Sequence, residues 1–250
     1  MEKSFEQHTH FTEYQSCKPN EVNCMNCRLR RDSLFNDLSF EELAVLNEKR
    51  YTMSFKTGEV IYKEGSRPMG LICLTSGKVK ITRWGENGTE QIVGLKRPVD
   101  FIGFRSVMLD CQSPVSAVAL EDATVCVIDK NDLYKVVQNN NRLAFKFIRY
   151  FANEFKKAES RFVHLTQKHM RARLADTLLY LVDICGTQPD HATIDVSLKR
   201  TELAALSNMS TANAIRFLSA FSKEHLIEID HRQVKILNLK ALKAISLLGW

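Results

Sequence analysis

Three cysteines fall within the eleven residues CKPNEVNCMNC, from Cys17 to Cys27. Thiols this close together can pair as disulfides, ligate a metal or act as a redox switch, and the redox compartment separates the first option from the others. The opening MEKSFEQHTHFTEYQ has no apolar core of the signal-peptide kind. No run of about eighteen apolar residues, the length of a membrane span, occurs anywhere in the chain. The expected compartment is therefore cytoplasmic and reducing, with no membrane partner. The seven cysteines then read as thiols or metal ligands rather than a disulfide framework. Cys73 in GLICL and Cys185 in YLVDIC sit in apolar strings and read as core. Cys111, in LDCQSP, reads as a loop residue, and His8 and His10 lie on a terminal stretch with nothing to position them.

A second constellation lies near the other end. Thr201 to Leu206 reads as a short helix broken at Ser207-Asn208-Met209, with Asn208 where a sharp turn wants left-handed backbone. Ser210 is placed to cap a second helix. Ala204, Ala214, Leu218 and Phe221 can face the core, which leaves Thr211, Ala212, Asn213, Ile215, Arg216 and Ser219 outside. Such a helix-turn-helix docks its second helix in the major groove of DNA. Arg216 could then grip a guanine through O6 and N7, Asn213 an adenine or a phosphate, Thr211 a phosphate, and Ile215 a thymine methyl. Leu226 to Ile236 alternates around Asp230-His231-Arg232 like a hairpin wing, and Lys199, Arg200 and Arg232 suit phosphate contacts.

The elements that must hold these residues follow from periodicity. The 250 residues carry 44% hydrophobic and 26% charged side chains, a globular composition, with a net charge of +6 that permits nucleic-acid binding without requiring it. Leu34, Leu38, Leu43 and Leu46 suggest a short helix, with Ser39 and Glu42 spaced as a capping box. From about 55 to 130, short apolar runs alternate with glycines. Val79 and Ile81 alternate with Lys78, Lys80 and Thr82, and Gly58, Gly65, Gly77 and Gly88 fall at the breaks. That texture predicts a β-sandwich, roll or barrel. From about 131 to 167 the period is helical. Ala144, Ile148, Phe151, Phe155, Ala158, Phe162 and Leu165 recur at spacings of 4 and 3, either the packed face of a helix within its own domain or a parallel two-helix dimer seam.

In order, these pieces resemble the CRP/FNR family of bacterial transcription regulators. FKTGEVIYKEG, LTSGKVKI, GTEQIVGL and VDFIGF look like its β-roll, followed by the long helix and the winged helix-turn-helix. The resemblance implies an α+β fold with a cyclic-nucleotide-binding-like jelly roll. The expected divisions are a cysteine-bearing arm at 1–33, a sensory roll at 34–135, a dimerisation helix at 136–167 and a DNA-binding domain at 168–250. It also implies a homodimer on a two-fold symmetric operator, joined through Ile148, Phe151, Phe155, Ala158, Phe162 and Leu165, with RNA polymerase as a further partner. Signalling would shift the population between dimers that can and cannot bind DNA.

The cyclic-AMP branch carries a glutamate and an Arg-Ser pair in the roll. Here Phe104 and Pro114-Val115 stand near those positions, which disfavours cyclic AMP because a buried phosphate would lose its charged partner. The segment looks more like the oxygen-sensing FNR branch, in which N-terminal cysteines and one roll cysteine hold a [4Fe-4S] cluster. Cys24, Cys27 and Cys126 match three such ligands. The RLRRDSLF that follows the C-x-x-C has no cysteine, so Cys17 is the available fourth. Arg28, Arg30 and Arg31 could offset the charge of such a group or simply be solvated. Zinc, thiol oxidation, haem and a small-molecule effector in the roll stay open as alternatives. In the recognition helix, Ala212 and Ile215 replace the family's glutamate and serine, so the operator is expected to differ. An enzyme is not expected: no GxSxG, HExxH, P-loop or GxGxxG stands in a suitable context. A metal-dependent oxidoreductase would leave the winged helix without a role.

Overall fold

The computed structural model describes residues 23–86 and 88–248. After a 3-10 turn at Arg28–Asp32 comes α1 (Phe40–Asn47). The roll is β1 (Tyr51–Phe55), β2 (Val60–Tyr62), β3 (Leu71–Ser76), β4 (Val79–Trp84), β5 (Glu90–Lys96), β6 (Phe101–Ile102), the short α2 (Phe104–Leu109), β7 (Ser116–Ala119) and β8 (Ala123–Ile128). Two helices follow, α3 (Lys130–Asn139) and the long α4 (Asn141–Gln167). The last part holds α5 (Met170–Cys185), α6 (Arg200–Leu206), α7 (Thr211–Lys223), the hairpin β9 (Ile227–Asp230) and β10 (Gln233–Ile236), and α8 (Leu239–Leu248).

The roll is two antiparallel four-stranded sheets, in the orders β1-β8-β3-β6 and β2-β7-β4-β5. Their facing side chains, among them Ile72, Leu74, Val79, Ile81, Val125 and Val127, make one buried core. Gly77 shows why a glycine joins β3 to β4. Its φ is +80°, and a Cβ there would stand 2.5 Å from the Asp122 carbonyl oxygen.

Local signals place the helices. Ser39 caps α1 in the expected box, its Oγ accepting from the Glu42 amide while Glu42 accepts from the Ser39 amide at 2.8 Å. The helical run from 131 to 167 is not one helix, and the boundary expected at 136 falls inside α3. Asn140 breaks the run, with φ −128° and ψ 90°, and its side chain accepts from the Leu143 amide at 2.9 Å to start α4. Its amide group also donates to Glu42 Oε1 at 2.6 Å, which ties α1 to the break. Losing an N-cap costs about 1 kcal/mol. Asn140→Ala is therefore expected to lower the thermal midpoint by roughly 2–4 °C, read by differential scanning calorimetry. An unchanged midpoint would show that another group caps α4.

Candidate thiol site and nucleic-acid interface

Strand parity decides which side chains of the roll reach the arm. Ile72 and Leu74 of β3, and Val125 and Val127 of β8, point between the two sheets. Cys73 and Cys126 have the opposite parity and are directly opposed in the β3–β8 ladder. Opposed residues share one face of a sheet. On that outer face Cys24, Phe35, Phe101, Cys126 and Phe147 form a buried cluster, with Cys73 packed against it. A cavity of about 50 Å³ opens there, and Cys24, Cys27, Cys73 and Cys126 all line it, with Arg30 and Ser33. Cys17 lies outside the described residues, as do His8 and His10. Cys111 is exposed and Cys185 half-buried, neither on this wall.

Cys24 and Cys126 act on each other's ionisation, with the Cys126 side chain as the hydrogen-bond donor towards Cys24. That bond holds Cys24 below the usual thiol pKa against its burial, with Arg50 and Arg30 helping. The same bond, with burial, pushes Cys126 up. Burial pushes Cys73 well up. Among the described residues, no three His, Cys, Asp or Glu side chains are drawn together in a metal-holding arrangement. The donor chemistry nonetheless fits a thiolate-ligated group. The cavity wall carries four sulfurs, one arginine and no carboxylate or histidine. Bound metal deprotonates a coordinating thiol outright, which removes the obstacle that burial sets.

The wall of this cavity continues into the long helix. Phe101 meets Phe35 edge-on at 5.7 Å and Tyr150 of α4 at 5.5 Å. Phe104 stacks on Phe151 at 5.2 Å. Of the six seam residues named from sequence, Phe151 thus turns into its own chain and Leu165 is half-buried. Ile148, Phe155, Ala158 and Phe162 face outward, with Phe155 66% and Phe162 68% exposed. A larger cleft of about 1050 Å³ lies between the roll, α4 and α5, and its lining includes Phe104, Pro114, Arg97 and Arg105.

The C-terminal part builds a reading head. Asn208 adopts the left-handed turn, with φ +50°, and the Ser210 side chain accepts from the Asn213 amide at 3.3 Å. Ala214, Leu218 and Phe221 are buried, while Ala212, Ile215, Arg216 and Ser219 are exposed. Thr211 is half-exposed, and Lys199 and Arg232 stand in solvent. Two of the proposed DNA contacts also bond within the chain. Asn213 Nδ2 donates to Met170 Sδ at 3.4 Å, and Arg200 Nη2 donates to the His231 carbonyl at 2.7 Å, bracing the wing tip.

Sequence reasoning did not reach the joint between roll and reading head. Ile92 and Leu95 of β5 are buried in the core of the C-terminal part. Lys80 Nζ lies 3.0 Å from Glu202 of α6, and Lys78 Nζ 2.9 Å from Asp195. Arg161 of α4 donates to the Ile92 and Leu206 carbonyls at 3.0 and 3.1 Å. Lys78 and Lys80 had only the alternation of a half-buried strand as their signal, which says nothing of a partner.

A cyclic nucleotide-binding domain model matches residues 52–140, and a Crp-like helix-turn-helix domain model matches residues 172–245. The transcriptional activator protein Anr of Pseudomonas protegens is 25% identical over 230 residues, which cover 91% of this chain and 93% of that protein. The CRP-like cAMP-activated global transcriptional regulator of Mycobacterium tuberculosis is 23% identical over 209 residues, covering 83% of this chain and 93% of that one. Among solved structures, FixK2 from Bradyrhizobium japonicum superposes with a TM-score of 0.70 at 20% identity, covering 78% of this chain and 96% of its own.

Proposed function

This chain belongs to the CRP/FNR family of transcription regulators, and from that premise we propose a homodimeric, sequence-specific DNA-binding regulator that senses oxygen, nitric oxide or redox state through a thiol-held [4Fe-4S] cluster. The observation that supports this reading is that Cys24, Cys27, Cys73 and Cys126 all line one cavity where the arm meets the roll. The relatives are regulators rather than enzymes, and several, such as the anaerobic regulatory protein of Bacillus subtilis, carry an oxygen-related name.

Bound there, a cluster would supply an oxygen- and nitric-oxide-labile centre that links arm to sheet. The protein's own parts do the rest. Cys24 and Cys27 belong to the arm, and Cys126 to the sheet. Phe35 and Phe101 form the wall between the thiols and α4, so a shift of the arm bears on Tyr150 and, through Phe104, on Phe151. The outward face of α4, with Ile148, Phe155, Ala158 and Phe162, is the dimer seam. β5 and the Lys80–Glu202 pair connect the roll to the reading head. RNA polymerase is the expected partner of the DNA-bound dimer.

Cyclic AMP is not part of this reading, because Phe104 and Pro114 stand near the positions where the cyclic-AMP branch has its glutamate and Arg-Ser pair. A second reading rests on Cys24 and Cys126 lining the same cavity and acting on each other's ionisation: loss of two electrons and two protons to oxygen or peroxide would join them as a disulfide, a switch that needs no metal. One experiment separates the two. Iron, acid-labile sulfide and absorbance are measured on protein purified without oxygen, then again after air. About four irons and four sulfides per chain, bleaching in air, is the expected result. Colourless, iron-free protein whose DNA binding is lost on oxidation and restored by dithiothreitol would replace the cluster with the thiol pair.

A further inference from the structure

We propose that Cys73, rather than Cys17, completes the thiolate set with Cys24, Cys27 and Cys126. This rests on reading the cavity as the site of a thiolate-ligated group. Three observations carry it. Cys73 and Cys126 are register partners in adjacent antiparallel strands, so their side chains leave the sheet on the same face. Their neighbours Ile72, Leu74, Val125 and Val127 have the other parity and fill the roll core. Finally, all four cysteines line a single cavity.

The other polar side chains on that wall are hard, neutral hydroxyls or a cation, poor ligands beside soft thiolates. Ser33 Oγ donates to the Arg30 carbonyl at 2.9 Å, and Thr75 Oγ1 donates to the Thr124 carbonyl at 2.9 Å. Arg30 has no lone pair to offer a metal. Cys73 is therefore the soft donor left on the sheet side. The resulting site has two thiols on a rigid ladder and two on the arm. Closure around a bound group then falls to the arm turn. Asn23 Oδ1 accepts from the Met25 amide at 2.8 Å, and Asn47 Oδ1 of α1 accepts from the Cys24 amide at 3.0 Å, so α1 feels that closure directly.

The test uses the full chain, oxygen-free, as wild type, Cys73→Ser, Cys17→Ser and Cys24→Ser. Each is loaded with ferrous iron and sulfide, and iron and acid-labile sulfide per chain are counted. Separate samples are titrated with cobalt(II), whose thiolate charge-transfer absorbance scales with the number of bound sulfurs. Cys17→Ser is expected to match wild type on both measures. Cys73→Ser and Cys24→Ser are expected to lose most of their iron and sulfide and about one quarter of the cobalt band. Cys73→Ala, checked by circular dichroism, separates ligand loss from misfolding. Wild-type loading in Cys73→Ser, with loss in Cys17→Ser, would overturn the inference and leave the cluster reading intact. A wild type that takes no iron yet shows a cobalt band diminished by Cys73→Ser would do the reverse, supporting the four-thiol set while ending the cluster.

Discussion

Replacing Phe155 and Phe162 together with glutamate is expected to give a folded monomer whose affinity for the operator falls about a thousand-fold or more. These rings are 66% and 68% exposed and seven residues apart, so they stand on one face of α4 and present most of their surface to solvent. Burying a phenylalanine is worth roughly 1.5–3 kcal/mol, and a parallel seam buries each ring twice by symmetry. Glutamates in their place bring like charges together across the seam. The monomer loses nothing that held it folded. It then meets one half-site at a time, and specific binding drops towards the non-specific range. Light scattering on a sizing column reads the mass, and fluorescence anisotropy on labelled DNA reads the affinity. Phe151→Glu is the instructive contrast. Phe151 has the heptad spacing but stacks on Phe104, so this change should destabilise the chain instead of merely dividing a dimer. A double mutant that stays dimeric would place the partner on another surface.

That contrast marks where sequence reasoning stops. What rests on neighbours a few residues apart could be read directly: the Ser39–Glu42 box, the left-handed Asn208, the Ser210 cap and the wing around His231 all concern local backbone demands. The heptad could be read as a pattern. Which of its rings turn inward could not, because that depends on Phe104, which α2 brings in from the roll. Asn140 was visible in the run of three asparagines, and an asparagine is a good helix cap. Its effect was hidden because apolar residues of helical spacing continue on both sides of it. The thiol site divides in the same way. Cys24, Cys27 and Cys126 come from matching a pattern, whereas Cys73 looks like core in GLICL until strand register sets it opposite Cys126. Register between β3 and β8 is a long-range property. So is the pairing of Lys80 with Glu202, 122 residues apart.

Arg216→Ala is expected to weaken operator binding by about 1–3 kcal/mol at each half-site, or roughly 2–6 kcal/mol for a dimer, a loss of about 30- to 25,000-fold. Arg216 is exposed on the outer face of α7, and its guanidinium lies over the Phe217 ring at 4.8 Å. That ring steadies a planar fork suited to the O6 and N7 of guanine. Asn213 is turned towards Met170, and Ala212 offers no hydrogen bond, so Arg216 is the strongest base-reading group this face presents. The operator would first be selected from random duplexes, and affinity then measured across a range of salt. Arg216→Lys keeps the charge but lacks the fork, so it should lose operator affinity with little change in salt dependence. Lys199→Ala should do the opposite: it weakens all DNA alike and flattens the slope by about one counterion per chain. If Arg216→Ala weakened random DNA as much as the operator, Arg216 would be a phosphate contact. Discrimination would then have to come from Thr211 and Ile215, or from the shape of the DNA between the half-sites.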